Sequence, residues 1–404
     1  MSTAPRPKLR DRLAAERADG SVNLYDPYRV GQPVQLSPLA LEVVKRLDGT
    51  RTLRDVQAEL TTLTGGTVLP LDTLEGLVTA LDSALLLDSP AFAERISGPV
   101  RKPTCIGAYE GDPTKLREQV DALFTAPGGP GLPGAPTPSP HGRLRAVLVP
   151  HMDYARGNVT YGWGFKELAE RTDARLFVIV ATSHYSPHRY TLSRQHFETP
   201  LGVYETDMAF VDRIAAEYGP GLFDDPLAHV PEHSIELEVV ILQHVFAGRG
   251  PIRIVPLLCG SLADCVDEGT DPAGAKDVAR MTAALRTAEA TAGEPVCYVV
   301  SGDLAHIGPK FGDRRKAEGP WLGESETQDR ALLAALEAAD PVRYFGVIAA
   351  EGDARRICGL PPTYLTLAAA RPTAGRVLHY QQFVHPKGHE SVSFAAAAFY
   401  GCRQ

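Results

Sequence analysis

The sequence predicts an α/β protein: a mainly parallel sheet flanked by helices, preceded by a small winged-helix-like domain. Three observations predict it. Near-continuous apolar runs, "RLRAVLVPH", "ARLFVIVATSH", "PIRIVPLLCG" and "PVCYVVSGDLAH", alternate with helical patterns, as expected of strands covered by helices on both faces. Histidines and acids follow these runs instead of interrupting them. The first ninety residues lack such runs and read as short helices.

Taken in order, 1–21 is basic, without an apolar core, and is expected to be a flexible N-terminus and no secretory signal. Residues 22–92 form the small module. "QLSPLALEVVKRLDG" offers Ser37 as N-cap, Pro38 at the first helical position and Gly49 as stop. "TLRDVQAELTTLTGG" places Leu53, Val56, Leu60 and Leu63 on one face, and "LDTLEGLVTALDSALLLD" supplies a third helix. The module carries five Lys/Arg against nine Asp/Glu, the wrong balance for phosphate contacts, so no nucleic acid is expected. The second domain begins near residue 102, where "CIGAYEGDPTKLREQVDALF" reads as a turn and an amphipathic helix. The Pro/Gly-rich stretch 126–143 reads as a flexible loop inside that domain. Beyond it come the four strands. "EHSIELEVVILQHVF" lies between the second and third as a helix, and further helices fall at 273–290, 323–338 and 341–351. "SVSFAAAAFYG" is the final strand.

A net charge of −8 disfavours nonspecific attraction to nucleic acid or anionic membrane. No run approaches the ~20 apolar residues that span a bilayer. A cytoplasmic protein is expected. None of the six cysteines forms a CxxC pair, so a zinc-ribbon site is not expected.

The polar residues converge. The first strand ends at His151, followed by Asp153 and Tyr154; the second at Ser183 and His184; the fourth at Ser301, Asp303 and His306. Open parallel sheets bind ligands in the crevice at the carboxyl ends of their strands. One histidine there is ordinary structure; three such strand ends make a constellation. Cys358, in "RRICGLPPTYLTLAAA", precedes a helix opened by Pro361 and Pro362, where the dipole favours thiolate. A thiolate with two neutral imidazoles is a competent site for iron, copper or zinc. His233 and Glu236 share one face of the "EHSIE" helix start, with His233 as an acid/base or ligand-orienting group.

Seven segments in order, "VPHMDYARGNVTYGWGFKEL", "VATSHYSPH", "ETPLG", "EHSIELEVVILQ", "SGDLAHIG", "ICGLPPTYLTLAAA" and "SVSFAAAAFY", resemble the motif series of the Memo family, which includes AmmeMemoRadiSam system protein B. The resemblance covers about 102–404. It implies a fold related to the class III extradiol dioxygenases and a metal site of two histidines and one cysteine. By position these are His151, His184 and Cys358, with Asp303, His306 and His233 as neighbouring catalytic residues. The chain departs from the family's "PHAGY" and "SSD" with "PHMDY" and "SGD". The module resembles PqqD-like peptide-recognition domains. The implied function is a metal-dependent redox enzyme acting on a small-molecule substrate, with Fe(II) first among its ions, then copper, then zinc. The alternatives are a noncatalytic iron- or copper-binding protein and a scaffold partner of a radical SAM enzyme. The module is expected to dock a peptide or that partner.

Overall fold

The computed structural model describes residues 5–402. The chain divides into two compact units, Met1–Arg101 and Lys102–Gln404.

In the first unit, β1 (Ala14–Ala18), β2 (Ser21–Tyr25) and β3 (Val34–Leu36) form an antiparallel sheet in that order. Helices α1 (Pro38–Val44), α2 (Leu53–Leu63), α3 (Leu71–Ser83) and α4 (Pro90–Ser97) follow, then β4 (Val100–Arg101). Ser37 caps α1 through Ala40 N–H at 3.2 Å, and Thr52 with Asp55 forms a capping box on α2. Leu24, Leu36, Val56, Leu60, Leu74 and Leu81 make the core. The flexible N-terminus expected over 1–21 is corrected within the described residues. β1 pairs with β2 along its length, Leu9 N–H reaches Leu47 O at 2.8 Å, and Arg10 meets Asp26 at 2.5 Å with both side chains buried. A paired backbone and a buried ion pair tie this segment to the module. Residues 1–4 lie outside the described residues.

The second unit runs α5 (Pro113–Thr125), β5 (Arg143–Val149), α6 (Tyr154–Gly157), α7 (Val159–Arg171), β6 (Leu176–Thr182), β7 (Tyr190–Leu192), β8 (His196–Thr199) and β9 (Gly202–Thr206). Next come α8 (Met208–Tyr218), α9 (His233–Val245), β10 (Arg253–Cys259), α10 (Ala263–Glu268), α11 (Lys276–Ala290), β11 (Val296–Ser301) and β12 (His306–Ile307). Helices α12 (Pro320–Glu337), α13 (Pro341–Ala350) and α14 (Leu360–Ala370) precede β13 (Ala374–Val384) and β14 (Ser391–Gly401). Its strands lie in the order β12-β14-β5-β11-β6-β10-β9-β8, with β13 on β14 and β7 on β10. The four strands β5, β11, β6 and β10 are parallel, with Val147 beside Val299 and Ile179 beside both Val299 and Pro256. Every residue of β6 and β11 is buried, which explains their unbroken apolar runs. One core packs α11, α12, α13 and α14 on one face of the sheet; the other packs α5, α7 and α9 on the opposite face.

Two elements differ from the expectation. β13 is a long strand, only partly buried, that mixes polar and apolar residues and shifts register between Val377 and His379. The stretch expected as a flexible loop over 126–143 is irregular but held. The carbonyls of Gly128, Leu132 and Gly134 accept from Trp163 Nε1 (2.9 Å), Lys166 Nζ (2.8 Å) and Arg249 Nη2 (3.1 Å). Its C-terminal residue, Arg143, already belongs to β5.

Candidate metal centre

The carboxyl ends of β5, β6 and β11 are adjacent because those strands are neighbours in the sheet. They open into a cleft of about 690 Å³ lined by His151, His184, His233, Asp303, His306 and Cys358, among others. All six residues singled out from sequence therefore face one cavity.

His151 is the hub. Its Nε2 lies 3.3 Å from Cys358 Sγ and 3.7 Å from Asp303 Oδ2. Its ring centre is 5.1 Å from that of His184 and 5.2 Å from that of His233. On the other edge Nδ1 is 3.5 Å from Ser301 Oγ. That hydroxyl donates its own hydrogen to Ser234 O at 2.6 Å, so it meets the imidazole as an acceptor. Nδ1 then carries the proton and Nε2 keeps its lone pair toward the thiol.

His184 is set by Glu232. This carboxylate, 1 % exposed, accepts from the His184 backbone N–H at 2.8 Å and from Nδ1 at 2.9 Å. It also caps α9 by accepting from Ser234 N–H at 3.1 Å. His184 stacks on His233 with centres 4.7 Å apart, and His233 Nδ1 is 3.2 Å from the same carboxylate. One acid thus holds two imidazoles with their Nε2 edges free.

Cys358 reaches the site through a close backbone approach. A Cβ on Gly302 would lie 2.5 Å from Gly359 Cα, and one on Gly359 would lie 2.7 Å from Asp303 O. Glycine at both positions lets the turn before α14 dock on the end of β11, sealed by Gly359 N–H to Asp303 O at 2.9 Å. Thr182 Oγ1 donates to Cys358 O at 2.8 Å from the β6 side.

Two donor sets have all their ligand atoms within 4.8 Å of one another among the described residues: His151–His184–His233 and His151–Asp303–Cys358. The trio carried over by resemblance, His151, His184 and Cys358, is not one such set. Glu232 draws His184 toward α9 and His233, while the glycine contact places Cys358 beside Asp303. His233 and Asp303, assigned neighbouring roles from sequence, stand at ligand distance. His306 stands further back. Its Nδ1 lies 3.0 Å from Leu304 O and 3.1 Å from Arg356 O, so that nitrogen is the donor and Nε2 is left for the cleft.

Burial dominates the electrostatics. Burial, then His184 and His233, push His151 well below its ordinary value. Burial holds His233 and His306 down at about 4 and lifts Asp303 to about 7. Burial alone would lower His184 and raise Glu232, but their mutual attraction and hydrogen bond reverse both. Burial and the neighbouring Asp303 also push the Cys358 thiol well above its usual range, which corrects the low value expected from the helix dipole. A thiol enclosed among protein atoms beside a carboxylate loses more from desolvation than the short turn before α14 returns. Imidazoles, a soft sulfur and one carboxyl fit a borderline or soft metal ion, which would supply positive charge to a set anchored on the buried His151 and Asp303.

The rim explains the "PHMDY" departure. Met152 packs with Val392 and Phe394. Asp153 caps α6 through Arg156 N–H at 3.0 Å and pairs with the Arg156 side chain. Glu390 pairs with Lys310 and, at 3.7 Å, with Arg156. One wall is apolar and the mouth is ionic. Glu236 does not point at the metal donors; it accepts from Thr104 N–H and Cys105 N–H, each at 3.0 Å, and from Tyr109. It clamps the loop whose Gly107 and Ala108 line the cleft. Glu232 escaped the sequence reading, because an acid before a helix is ordinary capping; its signal was its place between two strand-end histidines and a third at the helix start.

Residues 101–399 match the family model described as Memo-like protein. A MEMO1 family protein of Aquifex aeolicus (strain VF5) is 24% identical over 389 residues, 93% of this chain and 95% of the relative. One from Methanothermobacter thermautotrophicus is 27% identical over 67% of this chain and 88% of its own. One from Thermus thermophilus is 26% identical over 82% of this chain and 94% of its own.

Proposed function

The chain belongs to the Memo-like protein family, and from that premise we propose that it is a metal-dependent redox protein of dioxygenase-like fold, with Fe(II) as its ion. The observation that carries this reading is the part-buried His151–Cys358 contact at 3.3 Å, with the buried His151 common to an all-imidazole set and a set with thiol and carboxyl. Such a set suits iron or copper better than a hard cation. The bound ion would supply Lewis acidity, redox capacity and coordination positions open to the cleft.

The chain's own groups do the rest. Glu232 and Ser301 fix the Nδ1 edges of His184 and His151, which aims their Nε2 edges inward. Met152, Val392 and Phe311 exclude water from one side of the cleft. His306, anchored by two carbonyls, offers Nε2 as a hydrogen-bond acceptor to a substrate, and Asp303 receives a proton or joins the ligands. The first unit is a PqqD-like, winged-helix-like module that docks a peptide or a radical SAM partner. The Aquifex relative aligns over 93% of the chain, more than the second unit alone spans, which favours the two units working together. The protein acts in the cytoplasm, without membrane or nucleic acid.

Metal analysis of protein purified without added metal, followed by anaerobic Fe(II) reconstitution and dioxygen-consumption assays with candidate substrates, tests this. Stoichiometric iron with turnover supports it. Copper retention without turnover favours the noncatalytic reading, to which the thiolate also lends itself.

A further inference from the structure

At the opposite end of β5 from the cleft lies a second cavity. Seven residues of β5 separate the two, about 23 Å at strand rise. This groove has a volume of about 770 Å³ and is lined by Arg143, Arg145, Arg286, Arg371, Glu289 and Glu294, among others. None of its four arginines lines the metal centre.

Both acids are already engaged. Glu289 pairs with Arg145 at 2.6 Å, and Glu294 pairs with Arg253 at 2.5 Å. The ends of α11 and α14 also lie here, and helix C-termini attract cations. Arg145 Nε donates to Ala370 O at 3.2 Å, and Arg286 Nη2 to Ala368 O at 2.6 Å. Those contacts account for Arg145 and for one edge of Arg286. They leave a surplus. Arg286 Nε is buried with no hydrogen-bond partner among the described residues. Arg143 and Arg371 make no ion pair among the described residues either. Burial and the neighbouring Arg371 both push the Arg286 guanidinium down from its ordinary value. Arg371 also sits at φ 46°, ψ 55°, closing α14 in the left-handed conformation that glycine adopts without strain. Three guanidinium groups therefore converge on one groove without a counter-charge of their own among the described residues. Guanidinium forks match phosphate oxygens in bidentate geometry.

We propose that this groove, through Arg143, Arg286 and Arg371, is a binding site for a small phosphorylated ligand, one carrying a polyphosphate or more than one phosphate group. Its volume exceeds that of a single inorganic phosphate. No aromatic side chain lines it among the described residues, so a nucleobase finds no stacking surface there and recognition rests on the phosphates. The net charge of −8 points away from a nucleic acid polymer.

The test is calorimetric titration of metal-free, full-length protein with sodium pyrophosphate at low salt, with citrate as a polycarboxylate control. Pyrophosphate is expected to bind one site, more weakly as salt rises. Arg371→Gln and Arg143→Gln should each weaken it by about tenfold or more, while His151→Ala leaves it unchanged. Without ligand, Arg371→Gln should melt no lower than the parent, because it removes a like charge. Should Arg143→Gln fail to fold, the exposed Arg371 carries the test. Absence of binding, parental affinity in both arginine variants, loss of binding in His151→Ala, or citrate binding as tightly as pyrophosphate would each overturn the assignment.

Discussion

Arg355 anchors the turn three residues before Cys358, and its removal has a calculable cost. The side chain is 4 % exposed. It pairs with Asp329, which is fully buried, donates to Ser325 O at 3.1 Å, and binds Glu351 at 2.9 Å. The second Asp329 oxygen accepts from Tyr380 at 2.8 Å. Arg355→Met keeps the stem and deletes the charge, leaving Asp329 in the interior with only neutral donors, Tyr380 and Ser393. Stranding one partner of a buried pair costs about 3–5 kcal/mol. The second unit spans 102–404, about 300 residues, so an unfolding entropy of about 2.1 cal/mol/K per residue turns that cost into a fall of about 5–8 °C. Differential scanning calorimetry reads it directly. The double variant Arg355→Met/Asp329→Leu should recover most of the loss, since neither charge then remains. The deficit should also depend on pH. Burial already raises the Asp329 carboxyl in the parent, and losing Arg355 raises it further. A carboxyl whose folded value exceeds its unfolded one stabilises the fold only below the unfolded value of about 3.9 and loses that contribution as pH rises. The single variant should therefore sit closest to the parent near pH 4 and furthest at neutral pH. A single variant melting within 1 °C of the parent, or a double variant less stable than the single, would refute the reasoning.

The remaining expectations concern the centre. Cys358→Ser should lose most bound metal, because a hydroxyl is a far poorer donor than thiolate, whereas Cys105→Ser and Cys402→Ser should retain parental content by atomic absorption. Glu232→Gln should weaken metal binding about 10–100-fold with the fold intact by circular dichroism, since an amide fixes neither His184 nor His233 as the carboxylate does. Gly302→Ala should cost about 1–3 kcal/mol in urea denaturation and lower metal content, because its Cβ would push Gly359 and the Cys358 turn outward.

The sequence displayed what depends on strand ends, and hid what depends on fine placement. His151, His184 and Asp303 were legible because buried parallel strands expose chemistry only where they stop. Cys358 was legible as a thiol before a helix. Its protonation was not, because burial is a tertiary property and outweighed the dipole. The division into two overlapping donor sets follows from Glu232 and from the Gly302–Gly359 contact, and neither leaves a periodic trace. β13 escaped because its half-exposed alternation, "AGRVLHYQQFV", resembles surface chain more than the apolar runs around it.

The segment that joins α5 to β5 is gripped in an unusual direction. The gripping atoms belong to Trp163, Lys166 and Arg249 on neighbouring helices and loops, and what they hold is main-chain oxygen at Gly128, Leu132 and Gly134. Every amino acid carries that oxygen. The stretch can therefore change its side chains freely wherever the backbone angles permit, yet it cannot be lengthened by one residue between those three anchors without sliding each carbonyl past its donor. Insertion scanning and substitution scanning across 128–134 should thus disagree sharply: identity is open, whereas spacing is metered.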